Sequence, residues 1–140
     1  MRAVLVLLAA CGSSPPAVPD SPPAADANGV DAAPPVSSHV ETKRLQVGEL
    51  VEAIMTGGPN DLAQIHLAAP AMSLSWNIHS HLDGGTQVAY EAFKQTTVDY
   101  PFHPTVAADW YLLLRNDGLS DADIQIDIGF YGAMTWKDWQ

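Results

Sequence analysis

Strict alternation near the end of the chain is the feature that most constrains the fold. From Ile124 to Phe130, isoleucine or phenylalanine occupies every second position, and Gln125, Asp127 and Gly129 lie between them. Because successive side chains of a strand point to opposite faces, this pattern predicts a β-strand with one buried face. No long segment with the 3.6-residue period of a helix competes with it, so we predict an all-β fold.

Similar short runs, rich in Val, Ile, Leu, Thr and aromatic residues, continue from Lys43 onward and are separated by Gly, Pro, Asn and Asp. The turn Asp83-Gly84-Gly85 is typical of a hairpin in which glycine supplies a positive φ. We therefore predict an antiparallel β-sandwich over residues 43–140. It has about seven strands, approximately at 46–56, 62–68, 71–80, 86–93, 96–102, 109–115 and 122–131.

Alternation also predicts which faces of these strands are buried. In the third strand the apolar side chains are expected to face the core, and Ser73, Ser75, Asn77 and His79 to face away from it. The run 110–114 is apolar on both faces, so this strand should be central or covered by another element. Trp136 and Trp139 in the tail are candidates for that cover, with simple packing as their main role.

Before the sandwich, residues 11–42 have a different composition. Seven of the eleven prolines lie in this segment, with Ala, Ser and Asp, and the segment contains no Lys or Arg. Such a segment lacks the large apolar side chains that offset the entropy of ordering, and Pro-Pro pairs favour extended conformations. We predict a disordered linker.

The first residues predict export. Arg2 precedes the apolar run 3–10, which is too short to span a bilayer and fits a signal peptide. Leu8-Ala9-Ala10-Cys11 resembles the bacterial lipobox, in which the cysteine is lipidated and residues 1–10 are removed. The resemblance implies a partner in membrane lipid and a lipid-anchored place in the bacterial envelope; Gly12 favours the outer membrane. The alternative is an ordinary secretory signal cleaved near Ala10, with an incidental cysteine.

Charge and cysteine content exclude several classes of protein. The net charge of −10 would repel nucleic-acid phosphates, so we expect no nucleic-acid partner. Cys11 is the only cysteine, which excludes an intrachain disulfide and a cysteine-based metal cluster. The chain lacks a Gly-x-Ser-x-Gly elbow and a phosphate-binding glycine loop, and we predict that it is not an enzyme.

His79 and His81 form the most suggestive pair of polar residues. Two residues apart on a strand, their imidazoles share one face and could chelate Zn or Cu, with His66 and His103 as further tentative ligands. We expect all four on solvent-facing surfaces. The alternative is that His79 and His81 are exposed strand-end residues, or that one of them hydrogen-bonds to the adjacent turn.

Several short motifs resemble the GOLD (Golgi dynamics) β-sandwich. They are Trp76-x-x-His79-x-His81 before a glycine turn, Tyr100-x-Phe102 before Pro104, Tyr111-x-Leu113-x-x-Asn116, and the final alternating strand. The eukaryotic members carry a disulfide and a membrane helix that this chain lacks. The resemblance implies a binding or adaptor domain without catalytic residues. Two hypotheses follow: a noncatalytic binding or structural lipoprotein, with an envelope protein as a partner, and a periplasmic metal-binding lipoprotein.

Overall fold

A computed structural model of the protein describes residues 33–140, and the predicted signal peptide, Cys11 and the linker up to residue 32 lie outside the described residues. The described part contains nine strands and no helix. Within it, no helical segment has the length and apolar character needed to cross a membrane. The strands are β1 (Ser37–Leu45), β2 (Leu50–Gly57), β3 (Leu62–Ala68), β4 (Leu74–Leu82), β5 (Gly85–Gln95), β6 (Thr97–Phe102), β7 (Ala108–Asn116), β8 (Ala122–Tyr131) and β9 (Thr135–Trp139).

Two antiparallel sheets pack against each other. The four-stranded sheet has the order β1-β8-β3-β6, and the five-stranded sheet has the order β5-β4-β7-β2-β9. Apart from the hairpin β4–β5, each strand along the chain lies in the sheet opposite to its predecessor. This alternation is the arrangement of a jelly roll, to which β9 adds an edge strand. The predicted antiparallel β-sandwich is confirmed.

The core lies between the inner faces of the sheets. Every apolar residue of the alternating row from Ile124 to Phe130 is at most 1% exposed. Leu112 and Leu114 of β7, in the opposite sheet, are fully buried. Burial of each such side chain contributes about 1.5–3 kcal/mol, so these rows are the main source of stability. The prediction that β7 is central is also confirmed, since it lies between β4 and β2.

β1 corrects the predicted boundary between linker and domain. Ser37–Leu45 pairs along its whole length with β8, although residues up to 42 were assigned to the linker. An edge strand buries only one face, and the inward-facing side chains here are His39, Glu41 and Lys43, so no apolar alternation marks it. The folded domain therefore begins near Ser37. The strands are nine rather than seven because β1 and the short edge strand β9 were not predicted.

Trp136 and Trp139 do not cover the outer face of β7, as the sequence suggested. Instead they close one edge of the sandwich against β1, in what we call the β1–β9 seam. Trp136 stacks on the ring of His39, with centroids 3.8 Å apart and planes 10° from parallel. The indole N–H of Trp139 donates to Glu41, and Lys43 Nζ lies 4.6 Å from the Trp139 ring centroid. Both tryptophans therefore pack against other side chains, as expected, but they do so at β1 and not on the outer face of β7.

A buried asparagine joins the end of β1 to the connection between β7 and β8. Asn116, which is fully buried, donates from Nδ2 to the carbonyls of Leu45 (3.1 Å) and Ser120 (2.9 Å). Its Oδ1 accepts from the backbone N–H of Gly118 at 2.9 Å. Three satisfied hydrogen bonds in a buried place fix the end of β1 relative to the β7–β8 turn.

Asn116→Ala should lower the free energy of unfolding by about 1–3 kcal/mol, because it leaves buried backbone groups without partners. Chemical denaturation monitored by circular dichroism measures the loss. Asn60→Ala, in an exposed turn, is the control and should change stability by less than about 0.5 kcal/mol. Equal losses in the two variants would contradict the anchoring role of Asn116.

Candidate functional site

The outer face of the five-stranded sheet carries a cluster of polar and aromatic side chains, which we call the histidine cluster: Glu52, His79, His81 and Tyr111. His79 and His81 share this face because they are two residues apart on β4. Tyr111 of β7 is the cross-strand partner of His79, and Glu52 lies on β2, the next strand along the sheet. Three strands therefore build the cluster.

The rings of the cluster are in mutual contact. The centroids of His79 and His81 lie 5.0 Å apart with the rings edge to face, and His79 stacks on Tyr111 at 5.3 Å. His81 meets the same tyrosine edge to face at 4.7 Å. These contacts cover His79, which is only 4% exposed, whereas His81 remains exposed.

The burial of His79 corrects the expectation that it faces solvent. Ser73 and Ser75, which were expected to face away from the core, are also buried, each 4% exposed. β4 lies inside its sheet, between β5 and β7, so long side chains from the neighbouring strands cover its outer face. Met72 was expected to face the core with the other apolar residues of this strand, but it is 72% exposed. It lies two residues before the first residue of β4.

Both nitrogens of His79 face a polar group. Nδ1 lies 2.8 Å from Oδ1 of Asn77, and the geometry suits donation of Nδ1–H to that amide oxygen. Nε2 lies 3.6 Å from Oε1 of Glu52, close enough for an ion pair when the ring is protonated. The Nδ1 of His81 lies 3.2 Å from the hydroxyl of Thr86. Thr86 belongs to β5, so this partner lies one residue beyond the turn Asp83-Gly84-Gly85 that the alternative interpretation named.

Burial lowers the pKa of His79 below its ordinary value of 6.5. The Glu52 carboxylate acts in the opposite direction and raises this pKa, while His81 lowers it further. Desolvation is the largest of the three effects, so the neutral form of His79 is favoured.

The other tentative ligands do not join this cluster. His66 lies on β3 of the opposite sheet, on its outer face, with Nδ1 3.4 Å from Asp99. His103 follows the end of β6 in the same sheet and is exposed. The four histidines therefore do not converge on one point. Among residues 33–140, no group of three or more His, Cys, Asp or Glu is arranged to hold a metal ion.

Glu52 and Tyr111 are members of the cluster that the sequence did not reveal. Tyr111 lies in the run 110–114, which is apolar on both faces. That pattern predicted a covered strand but did not indicate which side chains contact it. Glu52 has no signal in the sequence, because its proximity to His79 depends on the pairing of β2 with β7 and of β7 with β4. Ser80 points to the inner face, away from both histidines, so no histidine of this pair can activate its hydroxyl.

Comparison with known proteins identifies a neighbour in structure only. No family model matches the chain, and no curated protein sequence matches it. The crystal structure of the Yersinia pseudotuberculosis-derived mitogen (YPM) is similar with a TM-score of 0.51 and 12% sequence identity. The similarity covers 76% of this chain and 95% of the mitogen chain. At this identity the likeness supports the fold alone, and the resemblance to GOLD domains stays a prediction.

The lowered pKa of His79 predicts a pH-dependent stability. The unfolded chain takes up a proton as the pH falls through 6.5, whereas folded His79 does so only at lower pH. This contribution to the free energy of unfolding is therefore complete above 6.5 and decreases as the pH falls below it. Urea denaturation of wild type and His79→Gln at several pH values measures the effect. Below pH 6.5, the free energy of unfolding of His79→Gln should fall less with pH than that of the wild type.

The matched control for this prediction is His66→Gln, on β3 of the opposite sheet. It leaves the histidine cluster unchanged, so the stability of this variant should depend on pH as that of the wild type does. If the free energy of unfolding of His79→Gln depended on pH as strongly as that of the wild type, burial of His79 would not be the cause of this dependence.

Proposed function

We propose that this protein is an envelope lipoprotein, anchored through Cys11, whose β-sandwich is a noncatalytic binding domain with an envelope component as its partner. The outer membrane is the proposed location. The lipobox-like Leu8-Ala9-Ala10-Cys11 supports the anchor, and the all-β sandwich that starts near Ser37 supports the presentation of a separate folded domain.

One observation carries the noncatalytic part of this proposal. The buried histidine that would be the best general base, His79, is hydrogen-bonded to Asn77 and stacked on Tyr111. A hydroxyl activated by this ring would have to lie within hydrogen-bond reach of it, and Ser80 lies on the other face of the sheet. The histidine cluster therefore has the character of a rigid surface of aromatic rings rather than of a reaction centre.

Metabolic labelling with a palmitate analogue should mark the full-length chain expressed in a Gram-negative host. Cys11→Ala should abolish the label and release the domain from the membrane fraction, since the thiol is the only acceptor for the diacylglycerol. Ser13→Ala, two residues further on, is the control and should retain both the label and the membrane association. An unlabelled wild-type chain cleaved near Ala10 would reduce the protein to a secreted domain.

Metal binding remains a second candidate function because three potential ligands are neighbours. His79 Nε2 lies 3.6 Å from Glu52, and the ring of His81 lies 5.0 Å from that of His79. Unprotonated imidazole nitrogen and carboxylate oxygen are ligands for Zn, and imidazole also binds Cu. Such a site would need His79 and Glu52 to rearrange around the ion, since the described residues do not already form a metal-binding group.

This second candidate predicts about one Zn or Cu ion per chain after equilibration with the metal and removal of the excess. Elemental analysis by mass spectrometry measures the content. Replacing His79 and His81 together by Gln should remove the metal, whereas replacing His66 and His103 together should not. A chain that retains no metal removes this candidate and leaves the noncatalytic proposal in place.

A further inference from the structure

The edge of the sandwich opposite to the β1–β9 seam is open. There β5 ends one sheet and β6 ends the other, and no strand pairing joins these two edges among the described residues. Tyr90 of β5 stacks on Tyr100 of β6, with centroids 4.2 Å apart, and Tyr100 meets Trp76 edge to face. This aromatic contact holds the two edges together at one point and leaves a cleft beside it.

We call this opening the β5–β6 cleft. Its volume is about 380 Å³, within the range of about 300–1,000 Å³ that is typical of small-molecule sites. The lining consists of Gln87, Val88 and Ala89 from β5, residues 100–103 around the end of β6, Thr105, and Trp110 from β7. A larger depression, of about 450 Å³, lies on the outer face of the four-stranded sheet, but no Trp, Tyr or Phe lines it.

The chemistry of the cleft lining is aromatic and uncharged. Tyr100 supplies partly exposed aromatic surface. Phe102 and Trp110, each 3% exposed, form the floor of the cleft and meet edge to face at 5.0 Å across the two sheets. Gln87, His103 and Thr105 supply hydrogen-bonding groups, and none of the lining residues is Asp, Glu, Lys or Arg. Burial raises the pKa of Tyr100 above its usual value of 10.0, and Tyr90 raises it further, so the phenol also stays neutral.

One residue that lines the cleft, Trp110, is 3% exposed, and its indole Nε1 has no hydrogen-bond partner within residues 33–140. The fully buried hydroxyl of Ser80 and the indole Nε1 of Trp76, on the neighbouring strand β4, are also without a partner there, but neither residue lines the cleft. Ser80 is the cross-strand partner of both Trp110 and Gln87, so the polar groups of these three residues are neighbours on one face of the sheet. Unpaired buried groups of this kind are rare in folded proteins, and a ligand hydroxyl is one means of satisfying that of Trp110.

We propose that the β5–β6 cleft binds a neutral saccharide of one or two sugar units. A sugar ring has an apolar face of C–H groups, which packs on aromatic rings, and a rim of hydroxyls, which bond to amide, imidazole and hydroxyl groups. The absence of charged residues from the lining, in a chain of net charge −10, disfavours an anionic ligand. The inference rests on the proposed binding role of the domain but not on its lipid anchor.

Isothermal titration of the full chain with neutral disaccharides tests this proposal. The probes are cellobiose, maltose, lactose and N,N′-diacetylchitobiose, and the protein is kept in a detergent without a sugar headgroup. At least one probe should bind with a dissociation constant of about 1 mM or tighter. Gln87→Ala should weaken that binding about five- to tenfold, which is the effect of losing one hydrogen bond.

Variants at exposed positions distinguish the cleft from other surfaces. Ala89→Arg places a long charged side chain in the cleft and should abolish binding, and the exposure of Ala89 keeps the fold intact. Gln125→Ala, an exposed glutamine on the other sheet, is matched to Gln87→Ala and should leave binding unchanged.

Absence of binding for all four disaccharides would overturn the proposal, and so would binding that survives Ala89→Arg. Binding of indole without binding of any disaccharide would also overturn it, since it would show an aromatic ligand instead of a sugar. None of these results tests the proposed lipid anchor, which the labelling experiment with Cys11→Ala tests separately.

Discussion

The packing of one row of side chains against the opposite sheet determines the rest of this structure. Ile124, Ile126, Ile128 and Phe130 of β8 leave water only if a second sheet covers them, and no alternative burial is available to a strand whose other face is polar. β8 pairs with β1 on one side and with β3 on the other, so the same row also brings the first strand of the domain into the sheet. The two-layer architecture follows from this single requirement.

Within residues 33–140, strand pairing does not join the two sheets at either edge of the sandwich, and the side-chain contacts at the two edges differ. At the β1–β9 seam, Trp136 stacks on His39 and the indole N–H of Trp139 donates to Glu41. His39 Nε2 makes no hydrogen bond to a described residue, but it lies 3.4 Å from Oε2 of Glu41. At the β5–β6 cleft, the indole N–H of Trp110 has no partner within the described chain, and an accessible space lies beside this residue. We therefore place the proposed binding site at the second edge.

The sequence predicted what depends on local alternation and missed what depends on pairing. The bounds predicted for the strands at 62–68 and 122–131 coincide with those of β3 and β8, because both strands lie inside their sheet and have a clean two-residue period. β1 was missed because its inward-facing side chains are polar or charged and find their partners in β9, almost 100 residues away in sequence. For the same reason the neighbours Glu52 and Tyr111 of His79 were not predicted.

The proposed ligand site lies at the β5–β6 cleft and not at the closed edge of the sandwich. Nitrogen-15 correlation spectra of the indole N–H groups report on both edges at once, since Trp110 lines the cleft and Trp139 lies in the seam. Titration with the best-binding neutral disaccharide should shift the Trp110 signal and leave the Trp139 signal in place. A shift of the Trp139 signal with the Trp110 signal unmoved would contradict the account.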